Sequence, residues 1–207
     1  VSAIFYANRL TQLPIGTVGV AVATAIFPEL SRLASRGDRA KLHKTTDDAM
    51  GASFFIAMPA AVGLAALAEP IVAALFERGQ FRHEDTVRTA RVLLGFAGAV
   101  AAGCVTPTIT RAFYAEQDTR TPVRVSLWAV ARNLVLNLLL VRTPLREAGL
   151  AIATTVSQIV QLVALQVIQL RRRRAEGLEA AAWPIVASLG RASVLCVALW
   201  FAARGAH

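Results

Sequence analysis

Charge and aromatic side chains are both scarce: charged residues make up only 17% of the 207-residue chain and aromatic residues 7%. An ordinary soluble domain carries about a quarter charged residues, so this composition does not supply a water-facing surface. The only two cysteines, Cys104 and Cys196, both fall in apolar stretches with no CxxC pairing and no histidine beside them. They read as small core residues, not as a zinc or dithiol centre. His43, His83 and His207 are scattered and form no ligand cluster. Glu69 and Glu77 have no histidine partner nearby, and no Ser/His/Asp motif or phosphate-cradling glycine loop occurs, so an enzyme is not expected. Nor do basic and aromatic residues interleave as in a nucleic-acid binder, although the formal net charge is +9. There is no charged leader with a small-residue cleavage site, and the chain opens within an apolar segment.

What the chain has is apolar length. Hydrophobic residues reach 56% and the mean hydropathy is +0.53. About 20 apolar residues cross the hydrocarbon core as a helix. Six stretches meet that length, at about 1–30, 49–68, 92–114, 122–141, 148–170 and 183–204. The expectation is therefore an all-α integral membrane protein of about six transmembrane helices in a single lobe. The apolar piece from Pro70 to Phe76 is too short to span and suits an interfacial helix. A polar connector over 32–48 is expected on the cytoplasmic side, and the alternation of basic residues sets the orientation. With the first span ending inside, the inner segments hold Arg32, Arg36, Arg39, Lys41, Lys44, Arg111, Arg120, Arg124 and Arg171–Arg174. That is roughly twice the basic residues of the outer segments, where Arg78, Arg82, Arg88, Arg91, Arg142 and Arg146 fall beside acids. Directly after an apolar span, Arg171–Arg174 reads as a stop-transfer anchor at anionic lipid.

Three ordered segments carry a family resemblance. The first is Tyr6-Ala-Asn-Arg-Leu-Thr-Gln-Leu-Pro-Ile-Gly-Thr-Val-Gly-Val-Ala-Val-Ala-Thr, ending in Phe27-Pro-Glu-Leu-Ser-Arg32. The second is Ala68-Glu-Pro-Ile-Val with Leu75-Phe-Glu-Arg-Gly-Gln-Phe81. The third, Phe113-Tyr-Ala-Glu-Gln-Asp-Thr-Arg-Thr-Pro-Val123, is a polar hinge between apolar stretches. Its expected chemistry is a helix stop, a tight turn, an N-cap at Thr121 and a first helical position at Pro122. Together these segments resemble the MurJ (MviN) family of lipid II flippases, within the multidrug/oligosaccharidyl-lipid/polysaccharide exporter superfamily. After Val125 the likeness is mostly hydropathy, apart from Asn137 and Gly149-Leu-Ala-Ile-Ala-Thr154.

The resemblance implies most of the C-terminal lobe of a two-lobe flippase, facing an N-terminal lobe that precedes it. It also implies alternating access, lipid II as cargo, and a role in cell-wall synthesis and cell shape at the bacterial inner membrane. Contact with membrane lipids is expected and contact with nucleic acid is not. No cofactor is expected beyond an ion gradient, of protons or sodium, to drive movement. Rival readings are a flippase for another lipid-linked oligosaccharide, a cation-coupled exporter of the same superfamily, and a non-transporting membrane remnant or scaffold. Drug antiporters for cations rely on membrane-embedded acids, and the expected spans hold none apart from Glu29 at the very end of the first.

Arg9 is the leading candidate site residue. It precedes 19 uncharged residues, so it is expected below the outer interface. An arginine at mid-helix costs about 2.5–3.5 kcal/mol on insertion scales and usually faces a bundle interior or wet cavity. A guanidinium also suits a pyrophosphate, through two parallel N–H donors and a permanent charge. Snorkelling to headgroups, or a carboxylate in the other lobe, is the alternative. The resemblance favours substrate contact and adds Ser2, about two turns earlier on the same face. Asn8 and Gln12 stand where the family commonly places acids, so the field around Arg9 should be more positive. Pro14, Gly16 and Gly19 interrupt the same span, either for helix packing or as a hinge. Asn133 and Asn137, one turn apart, with Thr154 and Thr155 on the next helix, suit inter-helix hydrogen bonds. The alternative, implied by the resemblance, is a sodium site at Asn133, Asn137 and Thr154, although Asn137 supplies no negative charge. Arg132, mid-span and four residues after Trp128, either extends a positive cavity, pairs with an acid, or stacks on Trp128. Arg191 is near enough to the inner end of the last span to snorkel.

Overall fold

The computed structural model describes residues 2–79, 81–140 and 146–178, leaving out the side chains of 2, 146 and 147. The expected sixth span at 183–204, with Arg191 and Cys196, lies outside the described residues. Five helices among those described are long and apolar enough to cross a membrane.

The first is one continuous rod, built of α1 (Ser2–Pro14), a π-helical turn (Ile15–Val20) and α2 (Ala21–Ser35). Pro14 lacks the N–H that would bond one turn back, and the wider π turn follows it directly. Gly37, at φ +71°, turns the chain into α3 (Arg39–Ala66), whose start is capped by Asp38 accepting from the Lys41 amide at 3.1 Å. The 32–48 connector is thus mostly helical, with only 36–38 outside a helix. The short α4 (Ala68–Phe76) follows. Next comes α5 (His83–Ala115), where the Arg82 amide donates to Asp85 Oδ2 at 3.1 Å. The last two described helices are α6 (Arg120–Leu140) and α7 (Arg146–Ala175).

Helix α5 is the axis of the bundle. Two-thirds of its apolar window is buried (67%), against 6% for α6. The first rod, α3, α4 and α7 all pack on α5, whereas α6 is held mainly through α7. Small residues make the close approaches possible. A Cβ on Gly19 would lie 2.7 Å from the Cys104 Cα, and one on Gly95 would lie 2.8 Å from the Ala151 Cβ. Such contacts replace hydrophobic driving force with backbone-to-backbone packing, as membrane helices require. Thr155 adds a hydrogen bond from α7 to the Gly95 carbonyl at 2.6 Å.

The α5–α6 turn differs from its expected chemistry. Helix α5 ends in a Schellman arrangement: Gln117 is left-handed at φ +61°, and the Asp118 amide donates to the Phe113 carbonyl at 2.9 Å. Asp118, not Thr121, supplies the capping oxygen, accepting from the Thr121 amide at 3.0 Å and the Thr121 hydroxyl at 2.6 Å. Helix α6 already starts at Arg120, so Thr121 lies within its first turn and its own free amide is met by the carboxylate three residues back.

The basic run at the end of α7 also departs from a simple lipid anchor. Arg173 is buried and makes a two-pronged pair with Asp47 of α3, at 2.6 and 2.7 Å. Arg172 donates to Asp118 at 2.6 Å and stacks over Phe113 at 5.2 Å. Arg39 pairs with Glu176. Only Arg171 and Arg174 of the run are exposed and free to face headgroups. The other two tie α3, α7 and the α5–α6 turn together at one end of the bundle. Burial of the Asp118 carboxyl opposes its charge, yet the hydrogen bonds from Thr121 and Arg172 outweigh it and bring its pKa to about 2.

Candidate functional site

Helix α1 has two unlike faces. Ala3, Ala7 and Leu10 are buried in a cluster with Val92, Leu93 and Phe96 of α5, Ala68 and Val72 of α4, and Ala151 of α7. Beside them Tyr6 packs on Phe76 at 4.6 Å and on Phe81 at 5.5 Å, forming an aromatic knot at the end of the rod away from the α2–α3 link. The opposite face, with Phe5, Arg9, Gln12, Gly16 and Val20, is exposed. The 3- and 4-residue steps between these positions make one stripe along the rod.

Arg9 sits on that stripe, three residues beyond Tyr6 and so about 4.5 Å further along the helix axis. Its guanidinium lies over the Phe5 ring at 5.1 Å. Among the described residues it has no carboxylate partner. The charge is therefore oriented by an aromatic ring and left open towards whatever covers this face. Asn8 and Gln12 are exposed alongside it, so no acid offsets the charge on this stripe. Ser2 is the first residue of α1, and its side chain is outside the described set.

The three interrupting residues separate in space. Gly19 is buried against the Cys104 backbone, and Cys104 Sγ reaches the Pro14 carbonyl at 3.4 Å. Gly16 has nothing within 4 Å of where a Cβ would stand. Pro14 sits at the entry to the π turn. That turn was not foreseen from the sequence; the proline followed by two glycines was its only signal.

The structure brings Asn133, Asn137 and Thr154 together between α6 and α7. Asn137 Nδ2 donates to Asn133 Oδ1 at 2.9 Å, and Asn133 Nδ2 donates to Thr154 Oγ1 at 3.5 Å and Ser157 Oγ at 3.4 Å. Thr155 is turned the other way, to α5. Arg132 does not stack on Trp128, which is 77% exposed; it donates to the Ser157 carbonyl at 2.7 Å. Sequence reasoning missed Ser157, Ser126 and Gln161, the last two joined at 3.0 Å across the same seam. Their 3- and 4-residue repeat on α7 (Thr154, Ser157, Gln161) is the signal that could have found them.

Apolar helices wrapped around a central α5, with one open guanidinium on the exposed face of the first rod, define a multi-pass helical membrane protein. Such a site offers a fixed positive charge near one interface to an anionic ligand. The description "Lipid II flippase MurJ" matches residues 1–206, and the chain belongs to that family. Relatives described as probable lipid II flippase MurJ include that of Rhizobium meliloti, 38% identical over 157 residues, covering 76% of this chain and 29% of the relative. The Thermotoga maritima relative is 36% identical over 164 residues, covering 79% of this chain and 33% of its own length. That of Rickettsia prowazekii is 31% identical over 157 residues, with 76% and 31% covered. The chain thus spans about a third of the length of the curated relatives it matches. A solved structure titled "Lipid II flippase MurJ, inward closed conformation" superposes with a TM-score of 0.79 at 23% identity. It covers 98% of this chain and 40% of that one, and establishes the shared all-α fold. Membership of this family places the chain in the bacterial inner membrane as a multi-pass protein.

Proposed function

We propose that this chain is the C-terminal-lobe part of a flippase that moves lipid II across the cytoplasmic membrane for peptidoglycan synthesis. Arg9 holds the pyrophosphate of the cargo in this reading. The observation that carries it is the exposed, acid-free guanidinium of Arg9 on a membrane-spanning rod of a MurJ-family chain. A charge with no partner of its own is costly in that setting and is best compensated by an anionic ligand. Ser2, on the same helix, adds a hydroxyl donor to the same cargo. Pro14, the π turn and the unpacked Gly16 act as the bending point when the lobe changes access, while Gly19 stays clamped on α5. Energy comes from an ion or potential gradient.

The test uses the full-length parent gene in cells depleted of their own lipid II flippase. Wild type is expected to restore survival and surface-accessible lipid II. Arg9→Ala, at equal membrane abundance, should lower lipid II exposure by about 10- to 100-fold, the worth of one charge-assisted hydrogen bond at about 1.5–3 kcal/mol. Arg9→Lys should recover only part of it, since it keeps the charge and loses the paired donors. If wild type inserts normally but restores neither readout, lipid II is the wrong cargo and another lipid-linked oligosaccharide takes its place.

A further inference from the structure

The polar seam between α6 and α7 runs through the membrane-spanning part of both helices, and no acid lies in 125–140 or 148–170. A hard cation needs several oxygen lone pairs aimed at one centre. The seam presents the reverse. Asn133 Oδ1 is taken by the Asn137 amide, and both Thr154 Oγ1 and Ser157 Oγ face the N–H groups of Asn133. The Thr154 hydroxyl proton is committed to the Leu150 carbonyl at 3.0 Å. Among the described residues of the seam, the one buried oxygen left without a partner is Asn137 Oδ1, and a single neutral oxygen does not make a cage. Into this cluster Arg132 delivers a full positive charge, through the carbonyl of Ser157, the residue whose hydroxyl Asn133 also contacts. Its Nε is buried without an acceptor, so the guanidinium is set into the seam and does not extend out of it. The donors present therefore do not fit a sodium ion at Asn133, Asn137 and Thr154.

We infer that Arg132 is the resident cation of the α6–α7 seam: the chain itself supplies the positive charge there, and the protein binds no sodium at this place. A fixed guanidinium repels a second cation from the same few oxygens and already holds α6 on α7, the helix through which α6 is attached to the bundle. The consequence for transport, movement that does not need sodium, rests on the flippase reading. The binding statement does not, because it is measured without cargo.

Thermal unfolding of the full-length protein in lipid nanodiscs tests it, comparing sodium chloride with choline chloride at equal ionic strength. A ligand that binds only the folded state raises the melting temperature continuously with the logarithm of its concentration once that exceeds Kd. Wild type is expected to melt within about 1 °C in the two salts. Asn137→Asp alone should remain blind to sodium, because its carboxylate is met by the Arg132 charge in the same seam. Combining it with Arg132→Gln removes the resident cation and supplies a negative oxygen, and that protein should become sodium-stabilised. Sodium-specific stabilisation of wild type or of Asn137→Asp that rises with sodium concentration overturns the inference. So does a double variant that is folded, by its size-exclusion profile and cooperative melting, and still ignores sodium. The two single-state comparisons decide the matter even where the double variant does not fold.

Discussion

Arg9 and Arg132 show how one residue type takes two roles within the same apolar bundle. Arg9 lies on an exposed stripe with only the Phe5 ring beneath it, so its charge remains available. Arg132 spends its charge on a backbone carbonyl in a helix seam. The glycines divide in a similar way. Gly19→Ala must push a methyl group into the Cys104 backbone, where nothing flexible can yield, and overpacking of this kind costs about 1–3 kcal/mol. Gly16→Ala meets open space and should be neutral or slightly stabilising, since alanine is the better helix former. Unfolding curves of the two variants in detergent check the contrast. Transport by Gly16→Ala adds a second readout. A loss of activity at unchanged stability supports bending at this turn, and full activity removes Gly16 from the hinge.

At the scale of elements, α3, α7 and the α5–α6 turn are joined at one end of the bundle by carboxylate–guanidinium pairs, not by apolar contact alone. Arg173–Asp47 is the buried member and Arg172–Asp118 the part-exposed one. Asp118 gives this clasp a pH dependence whose sign follows from its lowered pKa. The folded state holds the carboxyl at about 2 against 3.8 for the free group, so its contribution is complete above 3.8 and is lost as the pH falls through 2. Melting temperatures measured from pH 6 down to pH 2.5 should therefore fall for wild type at the acid end. Asp118→Asn should start lower and show a flatter acid limb. Equal slopes in both proteins would mean that the acid sensitivity comes from other carboxylates.

For the whole molecule, the charge clasp gathers the α2–α3 link, the α5–α6 turn and the end of α7 at one end. The α4–α5 link, with its Tyr6–Phe76–Phe81 aromatic contacts, lies at the opposite end of the first rod. By the positive-inside rule, the basic residues on the clasp side predict a cytoplasmic position for it. Single cysteines at the exposed positions Arg36 and Arg78 test this, in a background lacking Cys104 and Cys196. A membrane-impermeant maleimide added to intact spheroplasts should label Arg78→Cys at once and Arg36→Cys only after lysis. The opposite pattern would invert the lobe and move Arg9 to the inner leaflet side. Among the described helices, α6 is the least enclosed, with Leu127 and Trp128 largely exposed, as expected of a helix that meets lipid.

Hydropathy alone determined the class of this protein: runs of some 20 apolar residues admit few structures other than membrane helices, because every backbone group must be bonded within its own segment. Arg9 stands out in the sequence for the same reason, as a lone charge beside an apolar run. The polar residues of the connector and the α7 end read as solvated charges, and only the tertiary structure paired them. Asp47 and Arg173 stand 126 residues apart, and nothing local to either names its partner. Likewise, Thr121 reads as a cap in the sequence, but α6 starts one residue earlier and Asp118 meets the free Thr121 amide. Periodicity reports which face of a helix is apolar. Which helix covers that face, and which charge neutralises which, depends on contacts between distant segments that form only when the bundle packs.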